Sequence, residues 1–514
     1  MNKSLKTTSV YLLVFRFIKI ALSIFILTLS AKYFGVSVDM DIWIIVAAFI
    51  STINLSLWGP INETFRAKFV FMKEQEGEES ALQKTGSLLA FILIVTLIIS
   101  LLLALFSKAL IPFLASSLEG AQKEVFVSIL LLMIPSFVIN ELTSIGTSVL
   151  NAYNVFYMPE VMGIVSSVLN LLCIILLAPH IGIQSLIIAQ YFSSFILIFF
   201  IFYFFRKSKI HMFRDGFAFK WEHIKPFVYF ALPFFFPYII AQFNIILEKN
   251  LANSLGIGIV SIVNYAGQFK GIIQAVFSSV LVTVMVPSLA NKFANKNPED
   301  FKHILNDNIQ IVFISLSLIV PFLFAAASPI ANLLYNHGGI DASSIDAIVY
   351  LIRFYSFSII SVMLYLIFGL ALLAQQLGKI YAIQGVIAQV ITILLNVFFY
   401  KRIGPTIFPV SLLISHFLVS LFMFNSIDIK NKKTIGIEVG KYIILILILS
   451  ACLFFLANIV DNYIEHSILQ LAIDGILLIL LFLLFATILG FKVIQYLVFV
   501  KFKAITFFEN LKNR

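Results

Sequence analysis

Four basic side chains lie inside long apolar stretches: Arg16, Lys19, Lys270 and Arg353. An ionised side chain at the centre of a membrane helix costs about 2.5–3.5 kcal/mol, so such residues persist mainly for function or for pairing. Buried cations suit one chemistry above others, the capture of an anionic group such as a phosphate. Arg16 and Lys19 are three residues apart and share a helix face. They would hold such a group near one membrane surface, or else snorkel to that surface. Lys270 lies deeper, with Gln268 and Gln274 nearby, and Gly267 and Gly271 would admit a close neighbour. Its structural alternative is an ion pair with Glu248. Arg353 lies in the outer third of its stretch, where Asp341 or Asp346 would be the pairing alternative.

Other residues suggest motion. Asp41 opens an apolar run and is either a gating partner for a basic residue or a favourable charge at a helix N-terminus. Trp58, Gly59 and Pro60 interrupt the second apolar run. Proline removes a backbone hydrogen bond and kinks the helix, and Asn54 and Asn62 flank the break. Gly59 and Pro60, with Pro233 and Pro237 in the seventh run, are therefore the expected hinges. Asn140, Glu141 and the scattered amides read as interhelical hydrogen bonds. Asp474, in the last run, has no account from the sequence. No Gly-Lys-Ser phosphate loop, His-Glu-x-x-His or Cys-x-x-Cys occurs. No catalytic residue, metal or cofactor is therefore expected, and transport must draw on an ion gradient, the membrane potential or the cargo's own gradient. A coupling ion stays open as a partner. Cys173 and Cys452 read as packing residues.

The elements that would position these residues are membrane helices. Of 514 residues, 61% are hydrophobic and only 12% charged, and the mean hydropathy is +1.04. A soluble domain cannot hide that much apolar surface. The apolar runs are continuous, not alternating, which selects helices over a barrel. Fourteen spans are predicted, near 9–33, 41–62, 85–112, 125–150, 158–179, 182–205, 224–248, 257–288, 306–328, 345–374, 380–401, 405–427, 441–460 and 467–490. If the N-terminus is cytoplasmic, most basic residues fall in inner segments. Only Lys32, Lys108, Lys123, Lys249, Lys401 and Arg402 fall outside. By the positive-inside rule both termini are then cytoplasmic. The net charge of +10 is thereby topological, so nucleic acid is not a partner; membrane lipids are.

A polar insert near residue 215 divides the chain. Ala31–Gly35 (AKYFG) and Ala252–Gly256 (ANSLG) occupy similar settings on either side of it. A six-plus-six duplication fits, with lobes at 1–215 and 216–430 and two further spans and a basic tail at 431–514.

Three stretches resemble the MurJ/MviN family of lipid II flippases, within the superfamily of polysaccharide flippases and multidrug exporters. The first runs from Ser261 to Ala266, then Gln268 to Lys270, then Val286 to Ala290. The second is Ser328 to Tyr335 with His337, Gly338 and Gly339. The third is Phe34-Gly35 with Asp41. The resemblance implies an all-α polytopic membrane protein with two six-helix lobes around a central cavity and two C-terminal helices grooved for a lipid tail. It implies alternating access and a cargo of undecaprenyl-type lipid bearing a sugar head group. Where the family carries arginines, this chain has Ile20, Ile26 and Asn54, and Gly267-Gln268 stands in place of an Asp-Arg pair. Taken with the basic residues read above, the expected cavity residues are Arg16, Lys19, Asp41, Asn54, Gln268, Lys270 and Arg353.

The expected activity is that of a flippase in a bacterial cytoplasmic (inner) membrane. It would move a lipid-linked glycan precursor, either lipid II or an undecaprenyl-diphosphate-linked polysaccharide unit, to the outer leaflet. A cation-coupled multidrug exporter is the alternative, but it would favour twelve spans and an acidic cavity. A glycan polymerase or ligase would need large outer loops, and those here are short.

Overall fold

The computed structural model describes residues 3–153, 155, 157–208, 210 and 219–490. Within these the chain is all-α. Seven long helices come first: α1 (Lys3–Phe34), α2 (Val38–Glu76), α3 (Glu78–Leu105), α4 (Ala121–Ala152), α5 (Tyr157–Ile181), α6 (Gln184–Lys207) and α7 (Trp221–Leu255). The eighth, α8, runs as Ile259–Val280, widens into a π turn at Leu281–Met285 and continues as Val286–Ala294. Then follow α9 (Pro298–Ala325), α10 (Ala342–Ala374), α11 (Gly378–Ile403), α12 (Ile407–Ser426), α13 (Lys432–Asp461) and α14 (Ser467–Ile488).

Twelve stretches among the described residues are long and apolar enough to cross a membrane. One of them, Gly378–Ser426, contains both α11 and α12. Helix α8 is not among the twelve; Asn264, Gln268, Lys270 and Gln274 dilute its apolar character. With these two points considered, the helices are consistent with the fourteen predicted spans.

The local signals are conventional. Ser37 caps α2 by accepting the Met40 N–H at 3.2 Å. Asn297 caps α9 by accepting from Asp300 at 3.1 Å, with Pro298 at the first helical position. Asp341 accepts from the Ser343 hydroxyl and, at 3.2 Å, from the Ser344 N–H. Those bonds hold its carboxyl down at about 2.

The structure corrects several boundaries. The second helix does not stop near 62 but runs unbroken through Pro60 to Glu76. At 39 residues it is ~58 Å long, well beyond a ~30 Å hydrocarbon core. The third stops at Leu105, and a short helix, Ile111–Leu114, follows. Pro179 lies inside α5, and the turn into α6 is made by Gly182, whose φ is +58°.

The chain forms two compact units. In the first (Met1–Tyr265, Leu334–Ser344 and Gly385–Phe408), α2 packs on α7 and α4, and α5 on α1 and α6. Phe65 of α2 stacks on Phe227 of α7 with centroids 5.5 Å apart. Gly146 lets Ile201 approach so closely that a Cβ there would sit 2.7 Å from its Cγ2, the small-residue contact expected between membrane helices. In the second (Ala266–Leu333, Ile345–Gln384 and Pro409–Arg514), α9 packs on α13 and α14. Phe313 meets Tyr442 at 5.9 Å. Many of the exposed side chains are large and apolar, such as Leu105, Phe199, Phe398 and Phe455. That is the surface a lipid solvent requires.

Candidate functional site

The first unit holds Arg16, Lys19, Asp41, Asn54 and the expected hinges. The side chain of Arg16 lies outside the described residues. Lys19 projects from α1 to Glu160 of α5 and pairs with its Oε2 at 3.2 Å. Gly163, one turn beyond Glu160, leaves room for it; a Cβ there would lie 3.0 Å from Lys19 Nζ. Nothing in the sequence singled out Glu160, because its partner lies 141 residues away.

Asp41 is buried at 2% exposure. Its Oδ2 accepts the Gly258 N–H at 2.6 Å, and its Oδ1 accepts the Ser261 N–H at 2.8 Å and the Ser261 hydroxyl. The carboxyl therefore sits at two helix N-termini, its own and that of α8, where free N–H groups and the helix dipole favour an anion. Beside it the Tyr265 hydroxyl donates to the Gly35 carbonyl at 3.0 Å, and the Tyr335 hydroxyl donates to the Tyr265 carbonyl at 3.1 Å. Gly35 has φ +57°, and a Cβ on it would overlap the Gly339 carbonyl; only glycine meets both demands. The three stretches that carry the family resemblance thus meet here: Phe34-Gly35 with Asp41, the start of α8, and the turn after Tyr335.

Around the expected α2 hinge the contacts are tight. The Trp58 Nε1–H donates to Thr96 at 3.0 Å. Gly59 faces Tyr238 of α7, whose Cε1 would lie 2.6 Å from a Cβ at that position. The Tyr238 hydroxyl donates to Glu63. Thr64 donates to the Pro60 carbonyl at 2.8 Å. Asn62 Nδ2 donates to Glu141 Oε1 of α4 at 3.1 Å, and Asn54 lies beside the same carboxyl. Pro233 and Pro237 lie within the unbroken α7, Pro233 exposed and Pro237 partly buried.

The second unit holds Gln268, Lys270 and Arg353. Lys270 and Gln268 are partly buried. The Lys270 ammonium sits 5.8 Å from the centre of the Tyr355 ring, an attractive cation–π distance. Gly267 packs on the same ring, with a Cβ–Cζ approach of 3.6 Å. His416, buried against Tyr365 with centroids 4.9 Å apart, lies within electrostatic reach of Lys270. Glu248, the suggested partner for Lys270, bonds Lys249 at 3.5 Å. Arg353 lies over Phe454 at 4.8 Å, and its Nε makes no hydrogen bond. Its neighbouring acid is Asp461, not Asp341, which Ser343 and Ser344 occupy. Asp474, fully buried, has both carboxylate oxygens without a hydrogen bond. The sequence missed Tyr355, Phe454 and Asp461; an aromatic in an apolar run carries no mark of its cationic neighbour.

The family model described as "Lipid II flippase MurJ" matches residues 30–474. A lipid II flippase MurJ of Burkholderia cenocepacia is 23% identical over 408 residues, which cover 77% of this chain and 78% of that protein. A probable lipid II flippase MurJ of Borreliella burgdorferi is 26% identical over 313 residues, 60% of each. A solved lipid II flippase MurJ in an inward closed conformation superposes with a TM-score of 0.78 at 20% identity, over 93% of this chain and 99% of that one. An inward-facing multidrug resistance MATE family transporter of the MOP superfamily gives 0.62 at 13% identity, over 83% and 98%. The matched span takes in all three motif stretches and Asn54, Lys270 and Arg353, and with it the chain belongs to the MurJ lipid II flippase family.

Proposed function

We propose that this protein carries a lipid-linked glycan precursor, lipid II or a related undecaprenyl-diphosphate unit, from the cytoplasmic to the outer leaflet by alternating access. The observation that carries the reading is Lys270. It is a partly buried cation within α8, set among Gln268 and Gln274 and backed by the Tyr355 ring. A diphosphate cannot cross hydrocarbon unaided, and a cation at that depth meets its charge. In this reading Arg16, Lys19, Gln268, Lys270 and Arg353 face the head group, while Asp41 stays bonded at the start of α8 and Asn54 beside Glu141. Gly59, Pro60, Pro233 and Pro237 allow the lobes 1–215 and 216–430 to rock. Residues 431–514 add two spans and the tail, and both termini are cytoplasmic. The protein catalyses no covalent step, and the energy comes from an ion gradient, the membrane potential or the cargo's own gradient.

The test is the exposure of lipid-linked glycans on the outer leaflet of cells depleted of this protein. Accumulation of the precursor on the inner leaflet is expected. Unchanged outward exposure of every such lipid rejects the reading. The multidrug exporter is the alternative; it requires an acidic binding chamber, whereas Arg16, Lys19, Lys270 and Arg353 are all basic.

A further inference from the structure

Glu141 lies near the middle of α4 with 0% exposure. Its Oε1 accepts Asn62 Nδ2 at 3.1 Å. Two oxygens of that same pair, Glu141 Oε2 and Asn62 Oδ1, are buried and have no hydrogen bond. A buried acceptor without a donor costs about 1–3 kcal/mol, and an ionised carboxyl so placed costs more. The two orphans belong to groups already joined by one bond, and one added proton serves both. A carboxylic acid and a primary amide can close a ring of two hydrogen bonds, N–H to carbonyl and O–H to carbonyl. A third orphan is Asn54 Nδ2, a buried donor on α2 beside the same carboxyl. A protonated Oε2 is a weak acceptor for it, whereas an ionised one is a strong acceptor.

We propose that Glu141 and Asn62 form a one-proton binding site within the membrane: the acid donates from Oε2 to Asn62 Oδ1 while accepting Asn62 Nδ2 at Oε1, and on losing the proton its Oε2 turns to Asn54. The bookkeeping is simple. An O–H bond forms at Oε2 with a proton taken from water, the charge of the carboxylate is cancelled, and release reverses both. A hard metal cation is disfavoured, because two unbonded side-chain oxygens fall well short of the shell of about six or more oxygens that such an ion takes. As a place where a proton gradient would couple to transport, the site rests on the transport reading.

The surroundings leave the proton to these amides. Helices α2, α3 and α6 and the short turn Ser107–Leu110 pack on α4. On α2, Glu63 takes the Tyr238 hydroxyl, and Arg66 is exposed one turn beyond Asn62. On α3 nothing titratable follows Lys84. On α6, Tyr191 is bonded to the Leu132 carbonyl, and Tyr203, Arg206 and Lys207 are exposed. Lys108 is exposed on the short turn, and α4 itself carries no titratable residue between Glu124 and Glu141.

The test uses the full-length protein in lipid nanodiscs, by infrared difference spectroscopy between acid and alkaline buffer. The wild type should show the carbonyl band of a protonated carboxylic acid that disappears on alkalinisation. Glu141→Gln should remove one component of that band, and Asn62→Leu should shift the frequency of the same component. Because glutamine can both donate to Asn62 Oδ1 and accept Nδ2, Glu141→Gln should unfold no more readily than the wild type, whereas Glu141→Ala should unfold more readily. Identical titrating carboxyl bands in wild type and Glu141→Gln, or a Glu141→Gln protein as unstable as Glu141→Ala, overturn the site. Neither readout uses the lipid substrate. A failed leaflet assay therefore leaves this result standing, and a failed titration leaves the flippase reading standing.

Discussion

Replacing Asp41 with alanine should loosen the protein before it touches transport. The substitution removes one acceptor group from three donors. The Ser261 hydroxyl can rotate to another partner. The Gly258 and Ser261 N–H groups cannot, because the first amides of a helix have no carbonyl within it to bond. Each buried donor left unmatched costs about 1–3 kcal/mol, so Asp41→Ala should cost about 2–6 kcal/mol. Asp41→Asn keeps one acceptor oxygen but turns an NH2 against one of the N–H groups, a loss of about 1–3 kcal/mol. Ser261→Ala removes a single bond to a charged group and strands nothing, so about 1.5–3 kcal/mol is its ceiling. The assay is denaturant unfolding of the purified protein, followed by the fluorescence of its three tryptophans; Trp43 is two residues from the substituted site. The expected order of instability puts Asp41→Ala first, with Asp41→Asn and Ser261→Ala milder and comparable to each other. An Asp41→Ala protein as stable as wild type, or one more stable than Ser261→Ala, refutes the reasoning.

Lys270→Ala should insert and unfold normally yet fail to support outward exposure of the glycan lipid; full complementation at normal expression would remove Lys270 from the mechanism. Lys19→Met breaks an ion pair whose side chains are 39% and 20% exposed, so stability should fall by no more than about 1 kcal/mol. A larger loss of transport than that, by leaflet assay, would mark Lys19 as a head-group contact. Gly59→Ala places a methyl against a Tyr238 ring that Glu63 holds by its hydroxyl, and overpacking of this kind costs about 1–3 kcal/mol. Adding Tyr238→Leu should restore the unfolding midpoint. Gly35→Ala should be worse than Gly59→Ala, since it meets backbone at Gly339 and an unfavourable φ together.

Much of the fold was legible because a membrane simplifies the code. Apolar runs must be helices, and the expected spans coincide with α1–α14 apart from their ends. The ends differ where helices leave the bilayer. Glu63 to Glu76 are polar enough to suggest a loop, yet they extend α2 because Phe65, Phe69 and Met72 remain buried along one face. The site was read less completely. Its cations announced themselves by their cost, but their partners did not. Glu160, Asp461 and Tyr355 meet Lys19, Arg353 and Lys270 only through tertiary packing. Pro60 was read as a break, but the helix continues because a proline forfeits only one bond of its ladder, and Trp58 and Gly59 are clamped by α3 and α7.

The π turn at Leu281–Met285 has a geometric consequence for the lower part of α8. It holds one residue more than an ordinary turn, so everything after it is rotated by about 100° from where simple 3.6-residue counting would place it. Leu289, fully buried, faces inward only because of that surplus. Excising one residue there would make the rod regular and swing the whole Val286–Ala294 segment round its axis, carrying Leu289 out of the interior and Lys292 away from Asp300, which it now bonds at 2.6 Å.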